Sequence, residues 1–365
     1  MADGAGGSQP LNDALAMIAP GTRLREGLDR ILQAKHGALI LVGDDPAVLS
    51  VCTGGFLLDA EFTPQRLSEL AKMDGAIILA ADASRIARAN VHLMPKASIP
   101  TTETGTRHRT AERVARSIDV PVLSVSAAMS IIAVYRNDQK HTLQPISWLR
   151  DRADQALATL GRFRSRFDVA LTGLSSLEVE DTVSVGDVAG VLQSAEMVVR
   201  IADEVAGYLV ELGDDGRLVR LQLAELMDGV ADSLRLVVRD YLRHTSVAPA
   251  HRAEAVERAA ARLANLTSDE LVDVRHVAEV LSLPASAADI HSGVEPRGYR
   301  LLHRLPRLSD TIIERIVDRF VNLQQIMRAS LGELEQVEGV GEAKARSVKE
   351  GLARLAESSI FERYQ

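Results

Sequence analysis

A multidomain α/β plus all-α chain is what this sequence predicts, and three observations predict it. Short unbroken apolar runs alternate with helix-period segments through residue 150, the pattern of a central mixed sheet flanked by helices. From about Asp151 to Pro284 apolar residues recur only at three- and four-residue spacing, which indicates a helical bundle. Near the end, a Gly-Val-Gly triplet separates two short apolar helical faces. The predicted domains are an α/β domain over 1–150, a helical linker or scaffold over 151–290, and a small helical module over 291–365.

Taken in order, residues 1–10 are Gly-rich and expected to be disordered. "GTRLREGLDRILQAKHG" places Leu24, Leu28, Ile31 and Leu32 at helical spacing and stops at Gly37. "ALILVG" reads as a buried strand, and "AVLSVCTGG" as its partner across a "DDP" turn, with Cys52 a buried thiol inside that strand. A helix ("TPQRLSELAKM"), a strand ("GAIILA"), a loop, a helix ("AERVARSI") and two strands ("VPVLSVS", "SIIAVYR") follow, and the domain ends near Trp148. In the middle, Leu157, Leu160, Phe163, Phe167, Leu171 and Leu174 form one apolar face. No catalytic motif occurs there, so a spacer or scaffold is expected. "SGVEPRGYRLLHRLPRLS" carries the Pro and Gly of a hinge.

Composition narrows the classes. With 365 residues, 46% hydrophobic, the chain can bury two or three cores. No segment approaches the roughly 18 apolar residues of a membrane helix, and no signal-peptide core opens the chain, so a cytoplasmic protein without membrane attachment is expected. A single cysteine excludes an intrachain disulfide and a Cys-rich zinc site. The net charge of −8 is concentrated between 151 and 290, where 24 acidic residues face 14 basic ones, while each flank is +1. Anionic partners therefore suit the ends better than the middle.

The C-terminal segment "LGELEQVEGVGEAKARSVKEGLARL" carries apolar positions Leu331, Leu334 and Val337 before the triplet and Ala345, Val348 and Leu352 after it. Glycine lets a backbone turn tightly and approach a ligand closely. The helix that follows presents free N–H groups to an anion, with Lys344 and Arg346 in its first turns. This arrangement resembles the helix-hairpin-helix motif of DNA-repair proteins, which implies DNA contact through Gly339, Val340, Gly341, Lys344 and Arg346. Upstream, "LPRLSDTIIERIVDRF" resembles a degenerate first copy, and paired motifs of this kind imply duplex or branched DNA.

The N-terminal domain lacks the usual nucleotide and metal signatures: no G-x-x-x-x-G-K-[ST], no G-x-G-x-x-G after a strand, no H-E-x-x-H. Three pieces stand out. "MDGAIIL" sets Asp74 before Gly75, Ala76 and a strand, where a carboxylate either ligates Mg²⁺ or Mn²⁺ or simply forms an Asp-Gly turn. "ANVHLMP" reads as a loop carrying Leu93. "TGTRHRTAERVA" gathers Thr106, Arg107, His108, Arg109 and Thr110 in a loop-like stretch. There the arginine forks suit phosphate oxygens and Thr110 can cap a helix starting at Ala111.

Asp-Gly-Ala followed some thirty residues later by Gly-Thr-Arg-His-Arg-Thr-Ala resembles the diadenylate cyclase domain. With the helical middle and the C-terminal motif, nearly the whole chain is similar to the DNA-integrity scanning diadenylate cyclases of bacteria. The resemblance implies condensation of two ATP into cyclic di-AMP with release of diphosphate, a Mg²⁺ or Mn²⁺ cofactor, and two facing sites in a homo-octamer. It implies that Asp74 is the metal ligand and that Gly75 and Ala76 lie against the nucleotide. Leu93 packs on adenine in that scheme, and Thr106, Arg107, His108, Arg109 and Thr110 hold phosphates, with Ser126 a further triphosphate contact. It also implies a nucleoid-associated protein whose output falls on branched DNA. One departure is plain: family members commonly carry an arginine pair after that serine, whereas here Ser126 precedes Ala127, Ala128 and Met129. The rival readings are a helix-hairpin-helix scaffold whose head senses nucleotides without cyclising them, and a metal nuclease. Only Asp82 lies near Asp74 in sequence, too few carboxylates for a nuclease.

Overall fold

The computed structural model describes residues 9–243, 251–286 and 288–362, with side chains as far as Glu357. The chain forms two compact units, residues 1–155 with 205–221 and residues 156–204 with 222–365.

The first unit is built on an eight-stranded mixed sheet in the order β2-β5-β4-β1-β6-β7-β8, with β3 pairing β5 as well. Its strands are β1 (Ala38–Val42), β2 (Cys52–Thr53), β3 (Phe56–Glu61), β4 (Ala76–Leu79), β5 (Arg85–Leu93), β6 (Val122–Ser126), β7 (Ile131–Arg136) and β8 (Gln139–Thr142). Only β1 and β4 run parallel; the other pairings are antiparallel. All five residues of β1 are buried because both faces of the sheet are covered. Ala38, Ile40 and Val42 pack into a core shared with α1 (Gln9–Met17), α2 (Arg23–Gln33) and α4 (Pro64–Leu70). Leu39 and Leu41 point the other way, into a core with Ala111, Val114 and Ala115 of α5 (Thr106–Ser117). The two-residue period of a strand thus divides one apolar run between two helical layers.

Several local readings need correction. "AVLSVCTGG" is not one strand: Asp45 accepts a hydrogen bond from Val48 N at 2.9 Å and Pro46 occupies the first helical turn, so α3 (Pro46–Ser50) forms and leaves only the two residues of β2. Cys52 is accordingly half-buried rather than buried, and burial raises its thiol pKa. The loop read after β4 is the long strand β5, and Leu93 is its last residue. β3, β8 and α1 were not expected from the sequence. Gln9 and Pro10 open α1, while the remaining residues expected to be disordered, 1–8, lie outside the described residues.

The second unit is helical, as expected. It takes in most of α6 (Ile146–Glu180) and α7 (Val185–Leu212), then α9 (Val230–Tyr241), α10 (Arg252–Ala264) and the short α11 (Ser268–Val272) and α12 (Val274–Val280). The helix between them, α8 (Arg217–Met227), has residues in both units. Leu157, Leu160, Phe167 and Leu174 of the anticipated stripe are buried. A further core joins α13 (Tyr299–His303), α14 (Asp310–Phe320), α15 (Leu323–Arg328), α16 (Leu331–Glu335) and α17 (Glu342–Glu362), with Val179 and Leu236 packed against it.

The segment read as a hinge is fastened instead. The Asp240 carboxylate accepts hydrogen bonds from the backbone N–H groups of Gly298, Tyr299 and Arg300 at 2.7–2.9 Å. The Arg300 guanidinium is buried and donates to Glu178, to Ser175 Oγ at 3.1 Å and to the Leu171 carbonyl at 3.3 Å. Tyr241 also donates to Glu178, at 2.8 Å. A Gly-Pro-rich stretch is flexible only where nothing satisfies its backbone, and here three of its donors end on one buried carboxylate.

Candidate functional site

Four strand ends meet at one edge of the first unit: the starts of the parallel pair β1 and β4 and the ends of β5 and β6. The registers fix this, with Ala76 opposite Val91 and Ala38 opposite Val125. The N-terminus of α5 arrives at the same edge. A cavity of about 170 Å³ lies there, lined by Leu39, Gly75, Ala76, Val91, His92, Leu93, Thr106, Arg107 and Thr110. The structure thus gathers Gly75, Ala76, Leu93, Thr106, Arg107 and Thr110 around one hollow. Asp74 joins them through Arg107, 3.8 Å from carboxylate to guanidinium, its own side chain 100% exposed.

Two glycines make the room. Gly75 has φ +96°, and a Cβ on it would come within 2.8 Å of the Asn90 carbonyl carbon. Gly37 lies under Arg107, where a Cβ would sit 2.0 Å from Nη1. Sequence reading used Gly37 only as a helix stop; its role as a floor for the arginine depends on a contact 70 positions away in the chain.

The basic triplet lies within a helix, not a loop. α5 begins at Thr106 behind Gly105, which has φ +84° and offers no side-chain cap, so Thr110 does not cap a helix at Ala111. The first N–H groups of the helix therefore remain open to an anion. Helical geometry separates the triplet. Arg107 and Arg109 are exposed, whereas His108 is buried and its Nδ1 lies 2.9 Å from the Tyr135 hydroxyl. Burial lowers the His108 pKa and, together with Glu103, raises that of Tyr135. The three side chains do not converge.

The loop before α5 is held from below. Glu112 accepts from the Thr101 hydroxyl and from Thr102 N at 3.0 Å, while Arg113 and Arg116 donate to the carbonyls of Ile99 and Pro100. Burial alone would raise the Glu112 carboxyl; the hydrogen bonds from Thr101 and Thr102, with Arg116, hold it below its usual value. Ser126 ends β6 at the same edge, and its Oγ accepts from Met129 N at 3.4 Å. Glu103, Glu112 and Tyr135 were missed by sequence reading, for each reads as an ordinary loop, helix or strand residue.

At the C-terminal motif, Val337, Val340, Ala345, Val348 and Leu352 are core, but Leu331 is exposed. Val340 contributes packing rather than a free surface: its side chain is buried and its N–H bonds the Val337 carbonyl at 3.0 Å. Gly339 adopts φ +87°, and Lys344 Nζ donates to its carbonyl at 2.9 Å. Open space surrounds Gly341, and Arg346 pairs with Glu342 at 2.7 Å. In the degenerate upstream copy Arg307, at the position matching Gly339, likewise has a positive φ, +70°.

Two family models match the chain. That described as DisA bacterial checkpoint controller nucleotide-binding covers residues 25–140, and that described as the DisA bacterial checkpoint controller linker region covers 143–289. The chain is 53% identical over 355 residues to the DNA integrity scanning protein DisA of Kineococcus radiotolerans, covering 97% of each chain. It is 51% identical over 360 residues to that of Streptomyces coelicolor, covering 99% of this chain and 96% of the relative. With the protein of Acidothermus cellulolyticus the figures are 52% over 359 residues, 98% and 96%.

Proposed function

This chain belongs to the DisA family of DNA integrity scanning proteins, and from that premise we propose that its cyclase domain condenses two ATP into cyclic di-AMP and two diphosphates. The observation that carries the reading is the edge cavity, where Asp74, Gly75, Ala76 and the open N-terminus of α5 with Arg107 converge on a space fit for a phosphate.

The chemistry needs little from the protein beyond placement and charge. The 3′-hydroxyl oxygen of each ATP bonds to the α-phosphorus of the other, the α–β phosphoanhydride bond breaks, diphosphate leaves, and the hydroxyl proton passes to solvent. At about 170 Å³ the cavity is smaller than the roughly 300 Å³ at which small-molecule sites begin. That size supports a half-site completed by a second copy facing it, within a homo-octamer. Arg107 and Arg109, with the helix N–H groups, offset triphosphate charge, Thr106 and Thr110 add hydroxyl donors, and Leu93 offers an apolar surface to the base. Ser126 stands at the same edge as a further triphosphate contact.

The donor set fits a divalent metal brought with the nucleotide. Among the described residues no group of three or more His, Cys, Asp or Glu is placed to hold an ion, and Asp74 is a fully exposed hard-oxygen donor. Mg²⁺ is commonly held by one or two carboxylates together with substrate phosphates. Asp74 would hold Mg²⁺ or Mn²⁺ in that way, and the ion when bound would neutralise phosphate charge and acidify the attacking hydroxyl. Incubating the protein with ATP and either ion, and resolving products by chromatography, tests the reading. Cyclic di-AMP formed by the wild type and lost in Asp74→Ala is expected; no cyclic product with either ion from pH 6 to 9 overturns it.

The C-terminal hairpin is the DNA contact in this reading, binding branched or duplex DNA through the backbone at Gly339 and Gly341, with Lys344 and Arg346 adding charge, and lowering cyclase output when engaged. Gly341 stands at the N-cap of α17, so Gly341→Asp keeps a good cap while placing a negative charge where a phosphate would lie. Weaker junction binding, by tenfold or more, with an unchanged melting temperature is expected. No described helix is long and apolar enough to cross a membrane, which suits a protein working on the nucleoid.

A further inference from the structure

Beneath the N-terminal turn of α5 lies a row of polar side chains that the cyclase chemistry does not use. Lys140 of β8 pairs with Glu103 at 2.5 Å. The Glu103 carboxylate also lies beside the Tyr135 hydroxyl on β7 and, with burial, raises its pKa. Tyr135 in turn faces His108 Nδ1 at 2.9 Å.

The direction of these bonds follows from what each group can do. A lysine ammonium only donates and an ionised carboxylate only accepts. Glu103, beside Lys140, is therefore the acceptor for the Tyr135 O–H, which leaves the Tyr135 oxygen as the acceptor for His108. Nδ1 must then carry hydrogen, and in a neutral ring Nε2 carries the lone pair. The surroundings favour the neutral ring. Burial disfavours the imidazolium, and Arg107 and Lys140 add repulsion that Glu103 opposes. Of the strands packed on α5, β1 and β6 contribute no titratable side chain, and Arg136 of β7 is held by Asp119 at 3.0 Å. On the helix itself, Glu112 is held by Thr101, Thr102 and Arg116.

We propose that Glu103, Tyr135 and His108 form a one-way hydrogen-bond chain that fixes His108 as an uncharged Nδ1–H imidazole, a positioning residue beneath the phosphate-binding turn. This rests on the cyclase reading above. Its consequence is a division of labour within the Arg-His-Arg triplet: Arg107 faces the cavity, and the neighbouring imidazole anchors the turn without adding a further charge. Tyr135 and Glu103 become positioning residues for the same reaction, acting through His108.

Three measurements decide it. In histidine-selective ¹⁵N spectra of the full-length protein, His108, assigned by its loss in His108→Gln, should show a protonated Nδ1 and an unprotonated Nε2 at pH 7; an Nε2–H tautomer or an imidazolium overturns the proposal. This arm needs no turnover, so it stands apart from failure of the cyclase reading, which would appear as a wild type making no cyclic product. The second arm is the pH profile of kcat/KM. Lys140→Met, a surface change that leaves Glu103 without its cation, should move the acid limb up by about one unit, and Glu103→Gln should move it down. Shifts in the same direction, or none, overturn the proposal, because a merely structural role would not give opposite signs. Tyr135→Phe should lower kcat about tenfold, the scale typical of losing a group that orients a functional imidazole, with KM for ATP within about twofold. A loss confined to KM, or none, overturns it.

Discussion

Two arginine–carboxylate pairs, one in each unit, show how the same chemistry serves opposite ends. Arg107 and Asp74 stand 3.8 Å apart with side chains 45% and 100% exposed. Arg300 and Glu178 are 7% and 1% exposed, and Ser175, the Leu171 carbonyl and Tyr241 take up their remaining hydrogen-bonding capacity. Water screens the first pair, so it contributes little to stability and either partner is free to turn to a phosphate or a metal. The second was desolvated on folding, so each member depends on the other and neither is available for chemistry. Exposure and unused hydrogen-bonding capacity, rather than residue type, separate a pair open to a ligand from a fastening.

The largest expected effect tests the fastening. Arg300→Met leaves Glu178 buried without its cation and should cost about 3–5 kcal/mol in chemical denaturation, while a second change, Glu178→Met, should recover most of the loss. A cost near that of an exposed pair would break the comparison. Next, Gly75→Ala places a side chain at φ +96° against Asn90, and should cost about 1–3 kcal/mol and abolish ATP binding, since the cradle has no slack.

The third effect is a pH dependence. Burial, reinforced by Glu178, raises Asp240 to about 7, against hydrogen bonds from Arg300 and Tyr299 that pull the other way. A carboxyl whose folded pKa is raised gives stability present below its unfolded pKa and lost as pH rises through the folded value. The melting temperature should therefore fall between pH 4 and 7, and Asp240→Asn should flatten that slope. The smallest stability effect belongs to the proposed site: Asp74→Asn should change unfolding free energy by less than about 0.5 kcal/mol while removing the proposed cyclase turnover. A large stability loss there would mean that the Arg107 pair is structural after all.

The legibility of the two regions differs for the same reason. Asp74, Gly75 and Arg107 stood out because Asp-Gly-Ala and Gly-Thr-Arg-His-Arg-Thr-Ala together resemble the diadenylate cyclase domain, whereas each alone reads as a turn or a basic loop. Arg300 did not, since "PRGYR" reads as a solvated hinge until Asp240, 58–60 residues earlier in the chain, is placed against its backbone. β5 was hidden by Arg85, Arg88, Asn90 and His92, which break the apolar pattern of a strand whose alternate residues Ala87, Ala89 and Val91 are nevertheless buried. β3 was hidden because its residues are mostly exposed and Asp59, at φ +46°, interrupts the alternation.

By itself the sequence determined the elements whose causes are local: buried runs such as Ala38–Val42, the stripe along α6, and the tight turn at Gly339. These follow from side-chain period and backbone sterics within a few residues. Only the tertiary structure decided that Gly37 lies under Arg107, that His108 turns inward to Tyr135, and that Arg300 is buried. Each of those rests on contacts between residues 27 to 129 positions apart, where periodicity carries no information.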